Sequence, residues 1–526
     1  MLKLLPTLSR LGEGVATLSP KSTELREQIH TQQQSLLDFV LQPEDESTFK
    51  DFESTLIPRV FELGRLLVTL FLCVREEREQ KDRPAQLEVG GRIFKQRPAQ
   101  PRNLNTLFGV VRYWRSYFRG STTAEGRTGF HPLDAKLGLT ADRMSMNLLS
   151  LASRLATKLS FAQTKAVLGW FLLQPPSTEV IEQAVLGLGK RTREWFEQAP
   201  APQDDGEVLV MMFDGKASPT ATEQELDRRR GKRRKVKAKS PRHRGRKKRG
   251  YYGSKKRRKK GDKSKNGRVA TMVVMYTLKR SGKSLLGPIN RRVYASFAPK
   301  RHAFEVAQRE AKKRGFGPGT GKVMQIVTDG DDDLALYAKS FFPEALHTID
   351  VFHVLEYLWT AGKCLHREGS QSLKAWMDEQ KERLYRGSIG AILNELERHL
   401  LVTPATGPGN KGKRARLGKV IGYLKPRKKN MNYGELIARD LEIGSGAVEG
   451  AIRSIIGGRF DQGGMRWIKE RAEALLQLRC LEINGDWDAF INWVHDDMRA
   501  TAQAQGRAIR LQQNTPAPLP KLREAA

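Results

Sequence analysis

Cysteine is nearly absent. The three residues, Cys73, Cys364 and Cys480, stand far apart and form no Cys-x-x-Cys pair. That excludes a zinc ribbon and a disulfide framework and fits a reducing interior, so no zinc is expected. Long apolar runs are absent too. The longest, "LGRLLVTLFLCV", is about 12 residues with Arg65 inside it, well short of the ~20 needed to span a bilayer. The opening "MLKLLPTLSRLG" has too short an apolar stretch, interrupted by Pro6, for a secretory signal. A soluble intracellular protein with no membrane partner is expected. Acids are in deficit, 58 Asp and Glu against 93 Lys and Arg, for a formal charge of +35. A charge that large repels itself and favours a polyanionic partner. It is unevenly spread: residues 228–268 hold 24 Lys and Arg and one acid, Asp262. That segment carries +23 (24 − 1), which leaves +12 (35 − 23) for the rest of the chain.

The remaining composition, 39% hydrophobic in 526 residues, is that of a multidomain globular chain. Residues 1–90 read as helical, with heptad-like spacing in "LREQIHTQQQSLLDFVLQ". Over 87–120, β-branched and aromatic residues between Pro and Gly suggest short strands or a hairpin. In 138–198 two helical stretches flank "QPPST", where Ser177 or Thr178 can cap the second. That outline fits a helix-turn-helix or an ordinary helical hairpin. Next come "VLVMMF", "RVATMVVMYTL" and "RRVYASF", three strands with no helical pattern between them. "KVMQIV" and "ALHTID" are further strands, each preceded by a helix, which implies parallel pairing. Three antiparallel strands followed by two parallel units is the order of an RNase H-like sheet. Helical sequence occupies 351–400, a basic Gly/Pro loop 402–419, and helical sequence again 433–497.

The fold class is therefore α/β: an RNase H-like mixed-sheet core followed by a long helical stretch and preceded by a mostly α-helical N-terminal region; the family resemblance given below implies that the helical stretch is an insertion in the core and that the N-terminal region is DNA-binding. The expected divisions are 1–90 (helical), 91–200 (DNA-binding), 205–354 (first part of the core, with a disordered basic loop over 228–268), 355–440 (insertion), 441–498 (second part of the core and C-terminal helices) and 499–526 (disordered tail).

Two apolar strands each deliver an Asp-Gly: "VLVMMFDGK" gives Asp214 and "VMQIVTDGD" gives Asp329. Either alone reads as a turn. On neighbouring strands the two carboxylates repel, and a divalent cation resolves the conflict: Mg²⁺ takes one or two carboxylates plus substrate phosphate, and two such ions ~3.5–4 Å apart can drive an in-line phosphoryl displacement. Asp331, Asp332 and Asp333 precede "LALYAKSFF" and fit an N-cap and first turn. A third carboxylate is sought in the later helices. Glu449 stands beside the apolar stripe Val448, Ile452, Ile455 and Ile456, after Ser445 as a candidate cap. Its bland alternative is a surface pair with Arg453.

Together, Asp214 in "DGK", Asp329 in "TDGD" and Glu449 in "GSGAVEG" resemble the DDE triad of bacterial insertion-sequence transposases, in particular the ISKra group related to Mutator-like transposases. "GFHPLDAKLGL" resembles that group's upstream motif. "LHTIDVFHVLEYLW", with Asp350 and His353, is similar to the Mutator-like signature after the second aspartate. "GGMRWIKERAEALLQLRCLEINGDWDAF" resembles its C-terminal block. Many relatives carry zinc-binding cysteines before "PLD", which this chain lacks.

The resemblance implies DNA strand cleavage and transfer by two Mg²⁺ or Mn²⁺ ions held by Asp214, Asp329 and Glu449. His353 would contact the scissile phosphate or move a proton, or simply sit on a helix that Asp350 caps. It also implies double-stranded DNA partners (element ends and target), a homo-oligomer on paired ends, and a bacterial, nucleoid-associated location. A resolvase-like nuclease and a domesticated DNA-binding protein are the alternatives. Backbone contacts are expected from Arg228, Arg229, Arg230, Lys232, Arg233, Arg234, Arg246, Lys247, Lys248, Arg249, Lys255, Lys256, Arg257 and Arg258. Tyr251 and Tyr252 stack on bases or form a turn. Arg466 and Trp467 contact DNA near Glu449, or Trp467 belongs to the core.

Overall fold

The computed structural model describes residues 19–41, 48–81, 85–89, 92–123, 126–139, 143–224, 268–461 and 465–513. The chain forms two compact units: Met1–Leu188 with Trp487–Ala526, and Gly189–Asp486. Among the described residues no helix is long and apolar enough to cross a membrane.

In the first unit, α1 (Pro20–Leu41) packs along α2 (Phe49–Lys81). Four antiparallel strands follow in simple order: β1 (Gln86–Val89), β2 (Arg92–Thr106), β3 (Gly109–Thr123) and β4 (Gly126–Phe130). β2 and β3 run 15 residues each, longer than the short strands expected over 87–120. Pro98 and Pro101 make β2 read as broken, but a register shift between Arg97 and Gln100 absorbs Pro98, and pairing resumes through Pro101, which stands opposite Trp114. In α3 (Pro132–Leu137), the buried Asp134 accepts from Arg102 (2.8 Å) and from the Tyr113 hydroxyl (2.7 Å), and also pairs with Arg115. The "HPLD" stretch thus staples α3 to β2 and β3 over a core of Leu72, Leu104, Val111, Tyr113 and Leu133.

Three helices complete this stretch: α4 (Met146–Lys158), α5 (Phe161–Leu168) and α6 (Thr178–Gly189). Ser177 does cap α6, its Oγ accepting from Val180 N at 3.3 Å. The pair around "QPPST" is α5 and α6, but residues 169–177 separate them; the tight turn of the region lies between α4 and α5 instead. The C-terminal helix, Trp487–Gln513, runs past residue 499, where a disordered tail was expected to begin.

The second unit is α/β. After α7 (Thr192–Gln198), a five-stranded mixed sheet has the order β7-β6-β5-β8-β9. Its strands are β5 (Val208–Ser218), β6 (Arg268–Ser281), β7 (Ser284–Ser296), β8 (Val323–Thr328) and β9 (Leu346–Ile349). β5–β6–β7 pair antiparallel, while β5–β8 and β8–β9 pair parallel. The apolar runs are buried because helices cover the sheet. On one face α8 (Lys300–Lys313) and α9 (Asp332–Phe341) close a core in which Phe213 stacks on Phe304 at 3.9 Å.

A helical excursion follows: α10 (Val351–Leu365), α11 (Gln371–Tyr385), α12 (Ile389–Val402), α13 (Asn410–Arg427) and α14 (Tyr433–Ala438). Most of the expected loop over 402–419 is in fact helix. Three glycines, Gly412, Gly418 and Gly422, disguise α13, but Leu417, Val420, Ile421 and Leu424 recur at helical spacing and are buried. The excursion closes where it opened, since Val351 N donates to Ile443 O at 2.9 Å. α15 begins at Gly446–Ile452, widens into a π-helical turn over Arg453–Gly457 and ends at Gly458–Phe460; α16 (Lys469–Asn484) follows.

Candidate active site

β5 and β8 run in parallel register from Val208↔Val323 to Phe213↔Thr328. The next residues are Asp214 and Asp329, so the two aspartates stand side by side on adjacent strands, whose backbones lie about 5 Å apart. β5 does not end at Asp214, as the sequence suggested. It continues against β6 to Ser218, and Asp214 marks the point where its parallel partner leaves. Gly215 N donates to Asp214 Oδ1 (2.5 Å), and Asp331 N to Asp329 Oδ1 (2.9 Å). Asp331 caps α9, accepting from Asp333 N and Leu334 N. Asp331 and Asp333 pair with Lys300, and Asp332 with Arg427. Of the four aspartates in "TDGDDD", only Asp329 stays out of this cap and its ion pairs.

Glu449 lies exposed in the first turn of α15, beside buried Val448, Ile452, Ile455 and Ile456. Ser445 does not cap this helix through its side chain. Its hydroxyl instead donates to Glu449 Oε1 at 3.3 Å, and no Glu449–Arg453 pair forms. The π-turn frees carbonyls from the regular ladder. Arg479 of α16 takes two of them, donating from Nη2 to Ser454 O (2.5 Å) and from Nε to Ile455 O (2.7 Å).

Asp350 is fully buried at the N-cap of α10. It accepts from Phe352 N and His353 N (3.3 Å each) and from Ser445 N (2.9 Å), and its Oδ2 lies 3.5 Å from His353 Nδ1. One ligand atom each from Asp350, His353 and Glu449 falls within 4.8 Å of the others. Burial opposes ionisation of Asp350, but the bonds from His353, Ser445 and Phe352 hold its carboxyl below the usual range. His353 is pushed up to about 9, chiefly by its bond to Asp350 against the opposing effect of burial, with Asp329, Asp350 and Glu356 adding to the rise. Asp214 is pushed up by burial first. The Gly215 N–H and His353 oppose the shift, and the charges of Asp329 and Glu449 add to it. Asp214 therefore lies in the combined field of Asp329, Glu449 and His353.

Among the described residues, no Lys, Arg or His nitrogen lies within ion-pair distance (4.0 Å) of the Asp214, Asp329 or Glu449 carboxylates. Lys216, two residues along β5 from Asp214, is committed to Asp461 at 2.9 Å. Neighbouring carboxylate oxygens with no Lys, Arg or His nitrogen in ion-pair contact among the described residues suit a hard divalent ion. Asp350 differs, since both its oxygens already accept hydrogen bonds.

The Asp329 turn is also held from α13. The Tyr423 hydroxyl donates to Asp329 O (2.7 Å), and Arg427 Nε to Gly330 O (2.9 Å). Tyr423 stacks on Tyr357 of α10 at 3.8 Å. Gly330 has φ +84, and a Cβ there would lie 2.5 Å from the Tyr423 hydroxyl. Sequence reasoning missed this clamp, because its acceptors are main-chain carbonyls that every residue type carries.

Trp467 is half-buried. Its ring packs on Phe460 (5.0 Å) under Arg459 (4.7 Å), and its backbone bonds Pro219 O and Ala221 N. Arg466 is exposed. The basic residues from Arg228 to Arg258 named above, with Tyr251 and Tyr252, lie outside the described residues.

No protein-family model and no curated protein matches this chain. Among solved structures, a Drosophila P element transposase strand transfer complex is similar at 12% identity with a TM-score of 0.27, covering 67% of this chain and 94% of that one. At that level the likeness carries no functional argument, which rests on the site.

Proposed function

We propose that the chain is a DDE transposase, with an RNase H-like core that cleaves DNA strands and joins them to a target by phosphoryl transfer. One observation carries the reading. In a chain of net charge +35, the charges of Asp329 and Glu449 both act on Asp214, and among the described residues no Lys, Arg or His nitrogen lies within 4.0 Å of any of the three carboxylates. Leaving like charges crowded and unpaired is unfavourable, and a bound divalent cation removes the conflict.

Asp214, Asp329 and Glu449 would hold Mg²⁺ or Mn²⁺, which when bound would activate a hydroxyl nucleophile and neutralise charge on the phosphodiester. Ser445 orients Glu449, and the Gly215 and Asp331 amides orient the two aspartates. Asp350 fixes the ring of His353 through Nδ1, which directs Nε2 to the substrate. As a cation near neutral pH, His353 binds the scissile phosphate and can give a proton to the leaving oxygen. The partners are double-stranded element ends and target DNA, held by a homo-oligomer.

The test supplies a pre-cleaved element end and a target plasmid. Joined products support transposition, whereas cleavage without joining supports the nuclease alternative. Asp214→Asn and Glu449→Gln should each lose cleavage while still binding DNA. Cleavage by both variants would refute the assigned site.

A further inference from the structure

Residues 411–429 contain nine lysines and arginines and no acid. α13 and the short turn after it, Lys428–Asn430, leave Lys411, Arg416, Lys419, Lys425, Lys428 and Lys429 exposed. Lys425 pairs with Glu397 at 2.8 Å. Lys411, Lys419, Lys428 and Lys429 make no ion pair among the described residues. On the neighbouring α11 the arginines are matched, Arg383 with Glu379 and Glu395, and Arg386 at its C-cap with Glu382. A helix surface of unmatched like charge is destabilising by itself and gains from a polyanion.

Position says which polyanion. The C-terminal end of α13 is fastened to the Asp329 turn by Tyr423 and Arg427. At 1.5 Å per residue, Lys411 to Lys429 spans about 27 Å, roughly eight nucleotides of one strand at 3.4 Å each. Nothing stands within 4 Å of a Cβ built on Gly418 or Gly422, so the surface between the lysines is open to phosphates.

We propose that the exposed basic face of α13 and its following turn is a track for the phosphate backbone of the DNA whose scissile bond lies at Asp214, Asp329 and Glu449. The proposal rests on the functional reading above and adds a binding surface to it. Contact along the track is independent of base sequence, because phosphates carry no sequence information.

The experiment measures binding of the full chain to a fluorescein-labelled DNA duplex across a salt series, with EDTA present so that no cleavage occurs. The triple variant Lys411→Ala/Lys419→Ala/Lys429→Ala is compared with Lys339→Ala/Lys374→Ala/Lys381→Ala, which removes the same charge from exposed positions on α9 and α11. Alanine favours helix, so folding is spared. The slope of log affinity on log salt should fall by about 0.9 for each phosphate that a lysine ceases to neutralise, hence by about 2–3 in the first triple. It should stay unchanged in the second. Equal effects in the two triples, no effect in either, or no duplex binding by the wild type would overturn the track. Glu449→Gln, run in parallel with Mg²⁺, should keep the wild-type slope and lose cleavage. Its continued cleavage would sink the site, whereas an unchanged slope in the first triple sinks the track alone.

Discussion

Replacing Asp214 with Asn changes the shape of the site little and removes one of three crowded negative charges. The consequence runs against the usual expectation for a site residue: the metal-free variant should be more stable than the wild type. With the strand spacing of about 5 Å taken as the scale of their separation and an effective dielectric near 20, two unit charges repel by roughly 3 kcal/mol. Partial exposure screens this, and the nearby His353 offsets part of it, which leaves about 1–2 kcal/mol. The pH dependence follows from the raised Asp214 pKa. A group whose pKa rises on folding contributes stability that is complete below its unfolded value, about 3.9 for Asp, and lost as pH climbs through the folded value. The wild type loses that contribution as pH rises through the folded value, whereas the amide has no such loss at any pH. Urea denaturation in EDTA at pH 7 should therefore give a higher midpoint for Asp214→Asn. Saturating Mg²⁺ should reverse the order if the proposed site holds it, because a ligand at 100 times its dissociation constant stabilises the native state by about 2.7 kcal/mol and the variant lacks one of the proposed metal ligands. A variant less stable than the wild type in EDTA, or one that Mg²⁺ stabilises equally, would refute the account of three uncompensated carboxylates.

Two further outcomes are expected. Gly330→Ala forces an L side chain into left-handed backbone, costing about 1–2 kcal/mol, and drives its Cβ into Tyr423. It should destabilise by about 2–4 kcal/mol and by measurably less in a Tyr423→Phe background, as read from a double-mutant cycle in urea; strict additivity would refute the clamp. Asp134→Ala leaves Arg102 and Arg115 without their shared carboxylate and should destabilise by about 3–5 kcal/mol, monitored by thermal unfolding; a loss under about 1 kcal/mol would show that the staple contributes little.

The five strands of the second unit were legible because buried strands need continuous apolar runs, and Asp214 and Asp329 stood out as the charges that end those runs. The capping of α9 by Asp331 was legible for a similar reason, since N-cap chemistry is local. What stayed hidden was either masked by punctuation residues or settled at long range. Glycines made α13 read as a loop, though its buried leucines, valine and isoleucine keep helical spacing. Two prolines made β2 read as two pieces, because a sequence does not announce a bulge. The Tyr423 clamp joins residues 94 positions apart through a main-chain acceptor, an interaction that leaves no mark on the composition at either end. Ser445 looked like a cap, but its hydroxyl serves Glu449.

The closed excursion between Asp350 and Ser445 also has a meaning in time. These residues are 95 positions apart and hydrogen-bonded. At roughly 5–20 residues per second of synthesis, Ser445 emerges about 5–20 seconds after Asp350, with Glu449 just behind it. During that interval the growing chain carries both aspartates on their strands, but neither the serine amide that seats Asp350 nor the third carboxylate. The candidate site is therefore completed only after the excursion has been made and its neck has closed.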